Sequence, residues 1–112
     1  MTNTSKIKVS NKLALENDYF RQALGGRGQI VMTQGIIALK QDEAVLEAVR
    51  WFNVFNEDND PYGEHDFGSL EIFGQRVFWK IDYYKDEDMD SGAVEAAISC
   101  YRVLTVMLAE EY

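Results

Sequence analysis

The sequence holds little of three residue types that often mark a functional site: it has one cysteine, one proline and one histidine. A single thiol, Cys100, cannot form an internal disulfide, which is typical of a reducing compartment. Its apolar neighbours predict a packed core thiol rather than a reactive one. No apolar run approaches the length that crosses a bilayer, and residues 1–12 lack the apolar core of a signal peptide. We therefore expect a cytoplasmic protein.

Positive charge is scarce in the second half of the chain. The formal net charge is −8. Residues 1–56 carry seven Lys/Arg against five Asp/Glu, whereas residues 57–112 carry four against fourteen. A surface this negative repels phosphate backbones, so direct nucleic-acid binding is not expected. The charge fits a basic protein partner, metal binding or, most commonly, plain solubility.

A chain of 112 residues has the size of one domain, in which we expect residues 1–9 to form a loose N-terminal arm. Apolar residues at helical spacing predict a helix over residues 10–24, with a serine cap and a glycine pair at its end. A second helix is predicted over residues 42–56. Between them, β-branched residues predict a strand over residues 29–33, and residues 35–40 fit neither state clearly.

A β-hairpin is predicted in the centre of the chain. Residues 77–84 alternate as a strand does, and Gly74 marks the turn because glycine readily takes positive φ. With Gly74 and Gln75 as loop residues, Leu70 pairs with Trp79, and one apolar face covers the core. The other face mixes aromatic and charged side chains, namely His65, Phe67, Glu71, Phe78, Lys80, Asp82 and Tyr84.

The last segment fits two structures. Apolar residues at helical spacing predict a helix over residues 93–110, whereas residues 103–106 also suit a strand, so the state from Tyr101 onward stays open. With the helix, the order is helix, strand, helix, hairpin, helix. We predict a small α+β domain in which an antiparallel hairpin and a further strand pack with about three helices.

The densest polar cluster surrounds the histidine, His65, which stands between Glu64 and Asp66. Histidine carries protons near neutral pH and is a common metal ligand. In the predicted register, His65 shares a face with Lys80 and Asp82, so these five residues are candidates for metal-assisted hydrolysis or acid–base catalysis. The alternative is a turn held by side-chain hydrogen bonds, with His65 clamped in place.

Metal ligands are only weakly marked. One histidine with scattered carboxylates is a poor transition-metal signature. Residues 58–63 begin like a calcium-binding EF-hand loop, but Ser69 stands where a bidentate Glu is required. The weak metal candidates are Asp58, Asp60, His65 and Asp66, and no cofactor is assigned.

Aromatic and acidic residues also suggest a partner surface, because aromatic side chains dominate interface hot spots. The candidates for partner binding are Tyr62, Tyr83, Tyr84, Asp86, Glu87 and Asp88. The tyrosines could equally be residues at the edge of the core.

Three segments together carry a family resemblance: NDPYGEHDFG at residues 59–68, WKIDYY at 79–84 and RVLTVMLAEEY at 102–112. With Asn17-Asp18 upstream, they resemble a bacterial family of short proteins classed as a domain of unknown function. Its members are similar to cargo of plasmids, phages and integrated elements. The chain departs from the family at residues 88–94, where members are proline-rich. The resemblance implies no established activity and no catalytic roles.

Three functions follow from these patterns. We favour a protein-binding or inhibitor module of a mobile element, whose charge could mimic nucleic acid and block a host defence or nucleic-acid enzyme. The alternative is a small metal-dependent hydrolase using the cluster around His65, Lys80 and Asp82. In the third, these residues only stabilise the fold. Neither the partner nor the oligomeric state is predicted.

Overall fold

The structure is a computed structural model that describes residues 4–87 and 100–112, with side chains from Lys12 onward. The helices are α1 (Thr4–Ala23), α2 (Gln34–Ala38) and α3 (Asp42–Arg50), and a 3₁₀ turn (Ala109–Glu111) follows the last strand. The strands are β1 (Arg27–Met32), β2 (Phe67–Ile72), β3 (Gln75–Tyr84) and β4 (Tyr101–Leu108). In the described part of the chain, every helix is too short or too polar to cross a membrane.

The four strands form one mixed sheet in the order β1-β4-β3-β2. β4 runs parallel to β1 and antiparallel to β3, and β3 pairs antiparallel with β2. The predicted α+β class, with a hairpin, a further strand and about three helices, is confirmed.

The helices pack on one face of this sheet, which we call the helix-covered face. Its core joins apolar side chains from all three helices to those of the two central strands: Leu13, Phe20, Ile36, Val45, Val49, Val77, Trp79, Ile81, Leu104 and Val106. Full burial of a large apolar side chain contributes about 1.5–3 kcal/mol to stability. Cys100 is also buried against this core, as the sequence predicted.

The hairpin turn lies one residue earlier than predicted. Its loop residues are Phe73 and Gly74, with φ of 54° and 73°, as a type I′ turn requires. Leu70 therefore pairs with Val77, and the predicted Leu70–Trp79 pair is wrong. Because a shift by two partners keeps every side chain on its face, the predicted apolar face is nevertheless observed.

The packing of Trp79 explains this register. Trp79 pairs with Gly68, where an added Cβ would lie 2.2 Å from the indole Nε1. Only glycine leaves that space, so the bulk of the indole selects its partner on β2. Turn chemistry alone could not reveal this constraint.

The C-terminal segment is a strand from Tyr101 to Leu108, so of the two structures left open there the strand is observed and the helix is not. β4 is central, with β1 on one side and β3 on the other. Side chains on both of its faces are buried, Val103 and Met107 on one and Leu104 and Val106 on the other. Such a strand lacks polar alternation, and its apolar run can match a helical period. Residues 93–99 lie outside the described residues.

The two helices predicted from the sequence, α1 and α3, differ from their predicted bounds. α1 begins at Thr4, six residues before the predicted cap at Ser10. The loose arm over residues 1–9 stays a prediction, and residues 1–3 lie outside the described part. α3 ends at Arg50, six residues before its predicted end.

Candidate functional site

The predicted cluster is divided between the two faces of the sheet. Lys80 and Asp82 alternate with Trp79 along β3, so they lie on the second face, opposite the helices, where Lys80 Nζ is 3.1 Å from Asp82 Oδ2. His65 instead stacks on Phe55 at 3.8 Å, and Phe55 contacts Trp79 on the helix-covered face. The predicted shared face is wrong because His65 precedes β2 and has φ of 56°, outside strand geometry.

Two carboxylates from different elements hold His65. Its Nδ1 lies 3.0 Å from Oδ1 of Asp18 on α1, and its Nε2 lies 3.6 Å from Oδ2 of Asp60. An ionised carboxylate only accepts hydrogen bonds, so Nδ1 donates a proton towards Asp18. Sequence reasoning missed Asp18 as a site residue because 47 positions separate it from His65. Its one local signal was the i,i+3 spacing to Arg21.

The segment before and around His65, which we call the 53–66 loop, has its own hydrogen bonds. The amide of Asn56 donates to Oδ1 of Asn59 at 2.8 Å, and the amide of Asn59 donates to Oδ1 of Asn56 at 3.1 Å. Further along, the amide of His65 donates to Oδ1 of Asp60 at 3.3 Å. These contacts fix the turn through short polar side chains. The alternative interpretation, a turn held by side-chain hydrogen bonds, therefore describes the local geometry.

A buried polar network, the Asn17 network, ties this loop to α1 and the sheet. Asn17 Nδ2 donates to the carbonyl of Glu64 and to the hydroxyl of Tyr83, both at 2.8 Å. Asn17 Oδ1 accepts from Nε of Arg102 at 2.7 Å, and the Tyr83 hydroxyl donates to Oδ2 of Asp66 at 3.1 Å. The amide side chain of Asn17 thus uses both of its N–H donors and its oxygen.

The acidic side chains in and next to this network have raised pKa values, which favours their protonated forms. Burial raises the pKa of Asp66, and the charge of Asp60 adds to this while the bond from Tyr83 opposes it. Burial, followed by the charges of Asp66 and Asp60, also raises the pKa of Glu64. The pKa of Tyr83 is raised by burial and by Asp66, so the phenol keeps the proton that it donates.

Arg21 connects α1 to the end of α3. Its Nη1 donates to the carbonyls of Val49 and Phe52 at 2.8 and 3.0 Å, and its guanidinium lies 4.8 Å above the ring of Trp79. Burial lowers the pKa of Arg21, although the bond to Asp18 opposes that shift. Arginine nevertheless stays charged in proteins. The guanidinium therefore supplies the carbonyls at a helix end with a donor.

The burial of Asn17 and Arg21 follows a spacing that is visible in the sequence, although a search for apolar residues alone does not find it. Leu13, Asn17 and Arg21 recur at intervals of four, and all three are buried. Tyr19 and Leu24, two of the large hydrophobic residues in this segment, are more than half exposed. The buried face of α1 is therefore partly polar, and apolar periodicity alone assigns it incorrectly.

Two open depressions in the surface flank His65. The first, the loop depression, has a volume of about 430 Å³ and is lined by Phe55, Asn56, Glu57, Asp60, Pro61, Tyr62, Gly63 and His65. The second, the helix depression, has a volume of about 370 Å³ and is lined by Ala14, Leu15, Asp18, Gly63 and His65. His65 and Gly63 line both, so they form the boundary between the two.

The predicted partner-binding residues have different exposures. Tyr62 is 78% exposed and Glu87 is also exposed, whereas Tyr84 and Asp86 are half-buried. Tyr83 is buried within the Asn17 network, which fits the alternative of a residue at the edge of the core. Asp88 lies outside the described residues.

The weak metal candidates do not form a ligand set in the described part of the chain. Within residues 4–87 and 100–112, no group of three or more His, Cys, Asp and Glu side chains is placed to hold a metal ion. Asp60 does approach His65, but Asp66 is engaged by Tyr83 and Asp58 is exposed on the loop surface. The metal-dependent hydrolase therefore stays a prediction.

Comparison with known proteins places the chain in a family. The family model described as protein of unknown function (DUF3768) matches residues 32–111, and the chain belongs to this family. The predicted membership of a family without an assigned activity is confirmed, while its link to mobile elements stays a prediction. A search of curated proteins and a search of solved structures each found no match. Asn17, Asp18 and Arg21 precede the matched residues, whereas His65 and the 53–66 loop lie within them.

Proposed function

We propose that this chain is a protein-binding module that presents the 53–66 loop to a basic partner. The observation that carries the proposal is the exposure of Tyr62, whose side chain is 78% accessible on a loop held in place by its own hydrogen bonds. Aromatic side chains of this kind supply much of the energy of protein interfaces. A large exposed tyrosine on a loop fixed by hydrogen bonds has a ready explanation as an anchor.

The order of the loop supports this role. Binding costs about 0.5–1.5 kcal/mol for each side chain that it immobilises, so a preorganised loop loses less free energy on association. Before Tyr62, the amide of Asp60 donates to the carbonyl of Asn56 at 2.8 Å, and after it the Asn17 network holds the carbonyl of Glu64. Tyr62 therefore lies between two anchored segments of backbone.

Charge supports the basic character of the partner. Glu57 and Asp58 are exposed on the loop next to Tyr62, and the chain as a whole carries −8. An acidic surface accelerates encounter with a basic one and disfavours acidic competitors. An inhibitor from a mobile element, directed at a host defence or nucleic-acid enzyme, would use the loop in this way.

Local recognition by the loop is better supported than imitation of a nucleic-acid duplex. Imitation of a duplex needs carboxylates in one contiguous array. The described exposed carboxylates instead belong to α3, the 53–66 loop, β2, the end of β3 and the C-terminal turn: Glu43, Glu47, Glu57, Asp58, Glu71, Glu87, Glu110 and Glu111. We therefore place the contact at the loop.

The test is capture of the partner from the native host, identified by mass spectrometry, followed by binding measurements with variants. Tyr62→Ala is expected to weaken binding by about tenfold or more, as loss of a hot-spot residue does. Tyr19→Ala removes a similarly exposed tyrosine from α1 and is expected to leave binding unchanged. Affinity is also expected to fall steeply with salt. Equal effects of the two substitutions, or binding indifferent to salt, would contradict the proposal.

A second candidate, acid–base catalysis, is favoured by one observation. Asp18 holds Nδ1 of His65, and the imidazole lines both depressions. A carboxylate that orients a histidine next to a cleft is a recurring arrangement of general bases. Calorimetric titration with divalent ions, comparing the native chain with His65→Ala, tests the metal-dependent form of this candidate. Metal uptake that is lost in the variant would support a hydrolase, and indifference of both proteins would remove that form.

A further inference from the structure

We propose that the loop depression binds the cationic side chain of a lysine or arginine of the partner. This inference rests on the proposed function and names the group that the site would recognise. The depression combines aromatic rings from Phe55, Tyr62 and His65 with the carboxylates of Glu57 and Asp60. Aromatic faces and carboxylates attract organic cations by two separate means, the ring quadrupole and direct charge.

The rings of the loop depression are positioned before any ligand arrives. His65 stacks on Phe55 with ring centroids 3.8 Å apart and an angle of 6° between their planes. Phe55 in turn meets the buried Trp79 edge to face at 6.2 Å. The inner wall of the depression is therefore packed against the core, while Tyr62 lines the depression and is largely exposed.

The two carboxylates of the depression differ in exposure. Asp60 Oδ1 accepts from the amides of Glu64 and His65 at 3.1 and 3.3 Å, and its Oδ2 lies 3.4 Å from the His65 amide and 3.6 Å from Nε2 of His65. The side chain of Asp60 is only 8% exposed, so it contributes negative charge to the wall of the depression. Glu57 is exposed, and its carboxylate is the one with which an ammonium or guanidinium can pair directly.

Charge and chemistry exclude other occupants of the depression. An anion would face Glu57 and Asp60, and a neutral apolar side chain would cover these carboxylates without pairing them, which costs free energy. A small, hard metal ion prefers a set of oxygen ligands and gains little from aromatic rings. A cationic side chain uses both the rings and the carboxylates. The volume of about 430 Å³ also lies in the usual range of small-ligand sites.

The experiment is a titration of the ¹⁵N-labelled full chain, followed by NMR, with n-butylammonium and with n-butylguanidinium chloride. Butanol and sodium butyrate, of the same chain length, serve as the neutral and anionic controls. We expect saturable shifts of amides in residues 55–65 with the two cations, and little change with either control. Shifts of equal size with butanol, or shifts scattered over the whole surface, would overturn the inference.

Matched variants separate the site from bulk charge. Tyr62→Ala and Glu57→Gln are expected to weaken cation binding about two- to fivefold. Glu43→Gln removes an exposed carboxylate of α3 that does not line the depression, and it is expected to leave binding unchanged. If Glu43→Gln weakens binding as much as Glu57→Gln, overall charge alone explains the attraction and the inference fails.

The outcome is separable from that of the proposed function. If neither cation binds but capture of the partner still depends on Tyr62, the loop is the contact surface and only the cationic group is wrong. If the cations bind as expected but capture is unaffected by Tyr62→Ala, the depression recognises cations and the proposed protein-binding role is contradicted.

Discussion

Polar side chains on the two faces of the sheet differ in burial and in the range of their bonds. On the helix-covered face, Asn17 and Arg21 are almost fully buried, and each bonds three groups that are distant in the sequence. On the second face, Lys80 and Asp82 form a local ion pair with side chains 37% and 31% exposed. Polar side chains thus fix tertiary structure on one face and remain partly solvated on the other.

Water accounts for this difference. A buried donor or acceptor that loses its partner costs about 1–3 kcal/mol because no water replaces the lost bond, whereas exposed ion pairs contribute about 0–1 kcal/mol. The 53–66 loop is held by Asn17 and by Asp18, which lie on α1. We therefore expect substitutions on the helix-covered face to disturb both the fold and the candidate site, and those on the second face to disturb neither.

Arg21→Met should give the largest effect. It keeps the apolar length of the side chain but removes the donors to Val49 and Phe52 and the partner of Asp18. We expect a loss of about 3 kcal/mol in the free energy of unfolding, measured with urea. Arg50→Met, which breaks the exposed pair with Glu47, is the control and should cost less than about 1 kcal/mol. Similar losses in the two variants would abolish the contrast between the faces.

Asn17→Leu should rank next. It removes the bonds to the Glu64 carbonyl and the Tyr83 hydroxyl from a fully buried position, so we expect a loss of about 2–3 kcal/mol. A double-mutant cycle with Tyr83→Phe should show a coupling energy of at least about 0.5 kcal/mol. Strict additivity of the two losses would mean that this contact carries no energy of its own.

Asp66, on the helix-covered side, should make the unfolding free energy depend on pH. Its pKa in the folded state lies above the ordinary value of 3.8, so its contribution to stability is fully present below that value and is lost as pH rises through the folded pKa. Asp66→Asn cannot titrate. The unfolding free energy of the native chain minus that of the variant should therefore fall as pH rises from about 4.

Glu111 supplies the control with the opposite sign. Bonds from Thr33, from the Leu108 amide and from the Gly35 amide lower its pKa below the ordinary 4.5. Its contribution to stability is present above that value and is lost as pH falls through the folded pKa. For Glu111→Gln, the same difference should rise with pH. Urea unfolding at a series of pH values measures both, and slopes of the same sign would contradict the assignment.

Lys80→Met should give the smallest effect. It removes the ion pair with Asp82 from a partly exposed position, so we expect a loss below about 1 kcal/mol that shrinks further in high salt. The NMR signals of His65 should stay unchanged, because the two residues lie on opposite faces. A clear shift of the His65 ring signals would restore the predicted site that joins these residues.

Local patterns predicted the parts of the fold that depend on local physics. The alternation of β3 gave the apolar face correctly, and Gly74 located the turn region, because both depend on neighbouring residues. The register failed because it depends on the space that Gly68 leaves for Trp79 across the strand pair. The prediction for the C-terminal segment stayed open between helix and strand because β4 is central in the sheet, and its burial on both faces hides the strand period.

The candidate site was found only in part for the same reason. His65 and its run of Asn, Asp and Gly marked the loop, since short polar side chains and glycine form turns within a few residues. The carboxylate that holds His65 is that of Asp18 on α1, and the buried polar residues that anchor the loop and the end of α3, Asn17 and Arg21, also lie on α1. Spacing along the chain does not predict contacts between such distant segments.

Composition and short-range periodicity predicted an acidic α+β chain, a hairpin with one apolar face and a polar turn around a lone histidine, because these features depend on residues a few positions apart. The pairing of His65 with Asp18 rather than with Lys80 and Asp82 depends instead on tertiary packing. When α1 packs against the sheet, its buried polar groups have no water to bond. They must find partners on the loop and on the strands, wherever the fold brings these within reach.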